Sequence, residues 1–134
     1  MTRRTLQGSV AVAVGYLRVS TDRQDLGPEA QRASIEQWAR ASGVTIASWH
    51  SDTVSGASDL ADRPGLAGAL AALRAHGAGV LVVARRDRLA RDVAVAAAIT
   101  RATEKCGARV VSADGTANGE SAADSFLRTI LDAA

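Results

Sequence analysis

Three short stretches carry the residues able to do chemistry. Arg18, Ser20 and Gln24 follow one apolar run. Asp52 and Ser55 follow a second, with Arg63 further along, and Arg85, Arg86, Asp87, Arg88 and Arg91 follow a third. If the three runs are parallel strands, their carboxyl ends share one edge, which is where open α/β sheets bind ligands. One exposed hydroxyl, several guanidiniums and two carboxylates would then meet in one cleft. That collection suits attack on a phosphodiester: the serine oxygen displaces a sugar oxygen while arginines bind the phosphate oxygens and stabilise the charge of the transition state. Fifteen of the sixteen cations are arginine, Lys105 being the exception, and the guanidinium fork matches phosphate in a way the lysine ammonium does not.

Other chemistries lack their residues. His50 and His76 are the only histidines and neither has Cys or carboxylates at metal-ligand spacing, so neither a bound metal nor a Ser-His-Asp triad is expected. The phosphate-binding P-loop and the dinucleotide glycine fingerprint are missing, and no cofactor is expected. Asp52 and Asp87 have no spacing that supports a glycosidase pair. Trp38, Trp49, Tyr16 and Phe126 are too few and too scattered to stack the bases of a single strand. The formal charge of +2 permits an anionic partner without requiring one.

The elements that must position these residues are legible from periodicity. The chain has 134 residues, 47% of them apolar, enough for one domain with a real core. Val10–Val19 reads as a buried strand; although Arg3 and Arg4 precede it as in a secretory leader, the run is short and ends in Arg18. A helix is expected from about Glu29 to Ser42, stopped by Gly43, then a strand over Val44–His50 and a long connection over Ser51–Asp62 that carries Arg63 on its far end. Pro64 starts a helix that Gly77 stops near His76. Val80–Ala84, Asp92–Lys105 and Arg109–Ser112 continue as strand, helix and strand. The repeated alternation argues for an α/β fold with a largely parallel central sheet of four or five strands flanked by helices. The single Cys106 allows no intrachain disulfide and fits a reducing, cytoplasmic setting, and no run approaches a membrane span.

Four blocks taken together resemble the serine recombinases of the resolvase/invertase type. They are Tyr16-Leu17-Arg18-Val19-Ser20-Thr21-Asp22-Arg23-Gln24, then Asp52-Thr53-Val54-Ser55-Gly56, the Arg63-Pro64 pair, and Asp87-Arg88-Leu89-Ala90-Arg91. Order and spacing match over nearly the whole chain. The resemblance implies a catalytic domain that cuts double-stranded DNA through a covalent phosphoserine link and rejoins exchanged strands without ATP or metal. It makes Ser20 the nucleophile, gives the scissile phosphate to Arg18, Arg88 and Arg91, and has Arg63 complete the pocket. Asp87 would be a leaving-group acid or an orienter of the arginines, and Tyr16, Gln24, Gln31, Asp52 and Ser55 fall at supporting positions. The base that takes the Ser20 proton is not identified; the arginines could instead favour the alkoxide electrostatically.

Ser121 and Asp124 begin a last amphipathic segment with Phe126, Leu127, Ile130 and Leu131 on one stripe. By the same resemblance, residues 121–134 would be the start of a long helix that pairs subunits and leads to a separate DNA-binding domain, absent from these 134 residues. A homodimer and a synaptic homotetramer are implied for the full-length protein. Two rival readings keep the fold and change the outcome: a DNA-associated assembly module that cuts nothing, and a serine-dependent phosphodiester hydrolase that passes the intermediate to water.

Overall fold

The computed structural model describes residues 8–19, 27–54, 60–85 and 93–115. Strand β1 (Ser9–Val19) leads to helix α1 (Pro28–Ser42) and strand β2 (Thr45–Thr53). A 3-10 turn (Leu60–Asp62) precedes helix α2 (Pro64–His76), which is followed by strand β3 (Ala78–Val83), helix α3 (Val93–Lys105) and strand β4 (Arg109–Ser112). The four strands form one sheet in the order β2-β1-β3-β4, and every pairing is parallel. The helix expected from Ser121 lies outside the described residues.

The order of the strands dictates the layers. From β1 the chain steps to one side to form β2, then returns past β1 to form β3 and β4. Because parallel crossovers are right-handed, opposite steps place their helices on opposite faces. One face carries Ala13, Leu17, Val80, Val82 and Val111 beneath Ile35 of α1, with Trp38, Ile46 and Trp49 at the margin. The other carries Val14, Tyr16, Leu81, Val83 and Val110 beneath Leu66, Leu73, Val95 and Ile99 of α2 and α3. All six residues of β3 are buried, the pattern of a central strand covered on both sides. Each fully buried Val, Leu or Ile contributes roughly 1.5–3 kcal/mol of transfer free energy.

Two helix ends follow their local chemistry. Gly43 and Gly77 hold φ of 69° and 62°, a left-handed conformation that costs an L side chain strain, and each releases the chain almost directly into the next strand. Proline opens both α1 and α2, where its missing N–H costs no helical bond. Gly15, inside β1, carries the indole of Trp49, since a Cβ there would approach the ring to 2.6 Å. The outer side of that indole is covered by the Arg32 guanidinium, 4.4 Å from the ring centroid.

β3 starts two residues before the expected Val80 and ends at Val83, and the larger difference from the sequence expectation is at the end of β2. β2 does not end at His50 but continues through Ser51, Asp52 and Thr53, pairing Arg18 with Asp52 and Val19 with Thr53. A polar stretch can extend this edge strand because its one buried residue, the Asp52 carboxylate, finds donors, as follows.

Candidate active site at the carboxyl edge of the sheet

β1 and β3 are neighbours whose onward connections run to opposite sides, so the crevice between their carboxyl ends is the topological switch point of the sheet. Tyr16 and Arg18 occupy the last turn of side chains on one face of β1, and Asp52 stands beside Arg18 on β2. All three are buried. From Val19 the chain passes directly to Ser20, and from Ala84 and Arg85 to the Arg86–Arg91 block. Ser20, Gln24, Ser55, Asp87, Arg88 and Arg91 lie outside the described residues.

Asp52 is the hub of what is described. Its Oδ1 accepts the Gly65 backbone N–H at 2.7 Å, and its Oδ2 accepts the Leu66 N–H at 2.8 Å and the Tyr16 hydroxyl at 2.8 Å. A carboxylate on a strand thus caps the first turn of α2, whose own preceding residue offers no side-chain cap, and it meets the positive end of the helix dipole. The Tyr16 phenol is pushed well above its ordinary value of 10.0, first by burial and then by donating to Asp52, with Arg63 nearby opposing the shift. Tyr16 therefore stays neutral through the physiological range and can act as a donor, not as a base.

Arg63 is the N-cap residue of α2, and its carbonyl accepts the Ala67 N–H at 3.0 Å. Its side chain is fully buried. The sequence places it at the far end of a long connection; the segment from residue 60 to 63 is a 3-10 turn running into the helix cap, and the guanidinium folds inward beside Tyr16. Arg18 is likewise fully buried, donating to the Val54 carbonyl at 3.0 Å, while its own carbonyl accepts from the Gln31 amide at 3.1 Å. Gln31, the buried residue of α1's first turn, so ties that helix to the end of β1. The described buried groups at this edge are two guanidiniums against one carboxylate, a balance that favours an anion.

Of the proposed site residues that are described, the structure gathers all five: Tyr16, Arg18, Gln31, Asp52 and Arg63. Gly65 was missed. A Cβ at this position would collide with the Ser51 carbonyl and stand 2.9 Å from Asp52 Oδ1, so only glycine lets the helix start sit on β2. The signal available was a glycine directly after Pro64 in a helix's first turn, where glycine is otherwise a poor choice. His50 pairs with Tyr16 across β1 and β2, and its ring is bonded to Ser48 at 3.0 Å. Among the described residues no group of three or more His, Cys, Asp or Glu could hold a metal ion, and no helix is long and apolar enough to cross a membrane.

Residues 13–134 match the family model described as "Resolvase, N terminal domain". The chain belongs to the resolvase family. It is therefore a site-specific recombinase domain, an enzyme whose partner is DNA. Solved structures agree on the fold. The N-terminal catalytic domain of TP901-1 integrase superposes with a TM-score of 0.71 at 24% identity, covering 91% of this chain and 92% of that one. The C-terminal catalytic domain of IS1535 TnpA, an IS607-like serine recombinase, gives 0.57 at 29% identity over 75% and 69%. A resolvase family site-specific recombinase from Streptococcus pneumoniae gives 0.65 at 20% over 90% and 85%. No curated protein sequence matches.

Proposed function

We propose that this resolvase domain cuts and rejoins double-stranded DNA with Ser20 as nucleophile. The Ser20 oxygen attacks phosphorus, a Ser–O–P bond forms, and the bond to a sugar oxygen breaks; rejoining reverses the step on an exchanged strand. Arg18, Arg88 and Arg91 hold the scissile phosphate, and Arg63 completes the pocket. Asp87 protonates the leaving sugar oxygen or orients the arginines, while Tyr16, Gln24, Gln31, Asp52 and Ser55 support them. The arginines lower the cost of the Ser20 alkoxide in place of a histidine base.

The observation that carries this reading is the position of Arg18. It lies two residues before Ser20, at the end of a central strand and at the switch point of the sheet. Its guanidinium carries five N–H donors in a fixed planar fork, the geometry that matches phosphate oxygens, and gives one of them to the Val54 carbonyl. Arg18 and Arg63 are fully buried, so DNA engagement includes an opening of this edge.

In the same reading residues 1–134 are the catalytic domain, and residues 121–134 begin a helix that pairs subunits and leads to a separate DNA-binding domain. The working assembly is a homodimer that synapses as a homotetramer, in the cytoplasm and on the nucleoid when bound to DNA. The test uses paired DNA sites and a denaturing gel. A recombinase yields a protein–DNA adduct and exchanged, resealed products. Permanently open ends would instead mark a hydrolase, and binding with no adduct a non-catalytic module.

A further inference from the structure

Helix α2 begins under unusual restraint. Pro64 fixes the backbone at its first position, the Gly65 and Leu66 N–H groups are both held by Asp52, and the Arg63 carbonyl takes the first helical bond. Gly65 is in van der Waals contact with the end of β2, where any side chain would drive the Ser51 carbonyl away. One turn later the contrast is clear: a Cβ at Gly68 would meet chiefly the His50 imidazole at 3.2 Å, the far end of a side chain that can turn aside.

We propose that Gly65 is a positioning residue for Arg63: its missing Cβ seats the first turn of α2 on β2 and so sets where the N-cap guanidinium lies beside Tyr16. This rests on the reading of Arg63 given above. A methyl group at residue 65 lifts the helix start off Ser51, lengthens the bonds to Asp52, and carries the N-cap backbone with it. Displacements of about 1 Å at a group that orients a reacting centre can cost on the order of 100-fold in rate.

The test is a double-mutant cycle on single-turnover DNA cleavage by the full-length recombinase, comparing the wild type with Gly65→Ala, Arg63→Ala and the pair. Gly65→Ala is expected to slow cleavage by roughly 10- to 100-fold in the wild-type background and by less than about 2-fold once Arg63 is removed, with Gly68→Ala within about 3-fold of wild type. An equal loss from Gly65→Ala in both backgrounds would mean general damage to the fold and overturn the positioning role while leaving Arg63 its function. Wild-type cleavage by Arg63→Ala would overturn the reading of Arg63 and this inference with it. If Gly65→Ala fails to fold, Asp52→Asn takes its place in the cycle, since it keeps the side-chain shape with one acceptor oxygen in place of two. The same dependence on Arg63 is then expected, and additivity again overturns the role.

Discussion

The two edges of the sheet are built to opposite rules. At the amino edge the connections are as short as a parallel fold allows: Gly43 and Val44 join α1 to β2, Gly77 alone joins α2 to β3, and residues 106–108 join α3 to β4. Glycines at positive φ make these turns, including Gly107 at 79°, and the polar groups there serve the helix ends, as when Arg74 donates to the Lys105 carbonyl at 3.1 Å. At the carboxyl edge the connections span residues 20–27, 54–63 and 84–92, and the charged groups Arg18, Asp52 and Arg63 beside the first two are buried. Economy of chain at one edge secures the fold. Buried guanidiniums and a three-way carboxylate at the other are costly to desolvate, the opposite of a choice made for stability alone.

Substitutions at the two edges should therefore separate activity from stability. Arg18→Ala is expected to lower single-turnover cleavage by about 10²–10³-fold, the scale of losing a preorganised transition-state donor. Arg74→Ala, at the other edge, should leave the rate within about 2-fold and stability within about 0.5 kcal/mol. Equal losses from the two would erase the distinction. Asp52→Ala leaves the Gly65 and Leu66 N–H groups and the Tyr16 hydroxyl without their acceptor and should cost about 3 kcal/mol in denaturant unfolding. Gly77→Ala meets no neighbouring atom and adds only backbone strain, so about 1 kcal/mol is expected with cleavage unchanged.

The smallest effect is a pH signature. Tyr16 is the only tyrosine, so its phenolate absorbance reports one site. The phenol is neutral in both folded and unfolded chains below 10.0. Above that value the unfolded chain ionises while the folded one holds its proton, so stability is intact below 10.0 and falls as pH rises further. Phenolate absorbance should thus appear together with unfolding rather than before it. Its appearance in a folded protein near 10.0 would show that Tyr16 is neither buried nor bonded to Asp52.

Much of the scaffold was legible because it obeys local rules. The β-branched run of β1, the apolar β3, and the stops at Gly43 and Gly77 each announce themselves within a few residues. The site was legible as a set of residue types, through the motif blocks, and as one edge of a parallel sheet, but not in its individual contacts. Ser51-Asp52-Thr53 reads as loop because strand propensity takes no account of an N–H pair supplied by a helix start 13 and 14 residues further on. Arg63 reads as the far end of a long connection, and only the tertiary structure shows its side chain fully buried and turned in beside Tyr16. Gly65 is silent for the same reason: its purpose is an approach between segments distant in sequence.

In the proposed reaction the hydroxyl of Ser20 becomes the link to DNA. Trapping the covalent adduct, digesting it and locating the phosphate by mass spectrometry tests this most directly. The phosphate should lie on Ser20, and Ser20→Ala should give no adduct while unfolding like the wild type. An adduct carried by another residue, or one that persists in Ser20→Ala, would contradict the account.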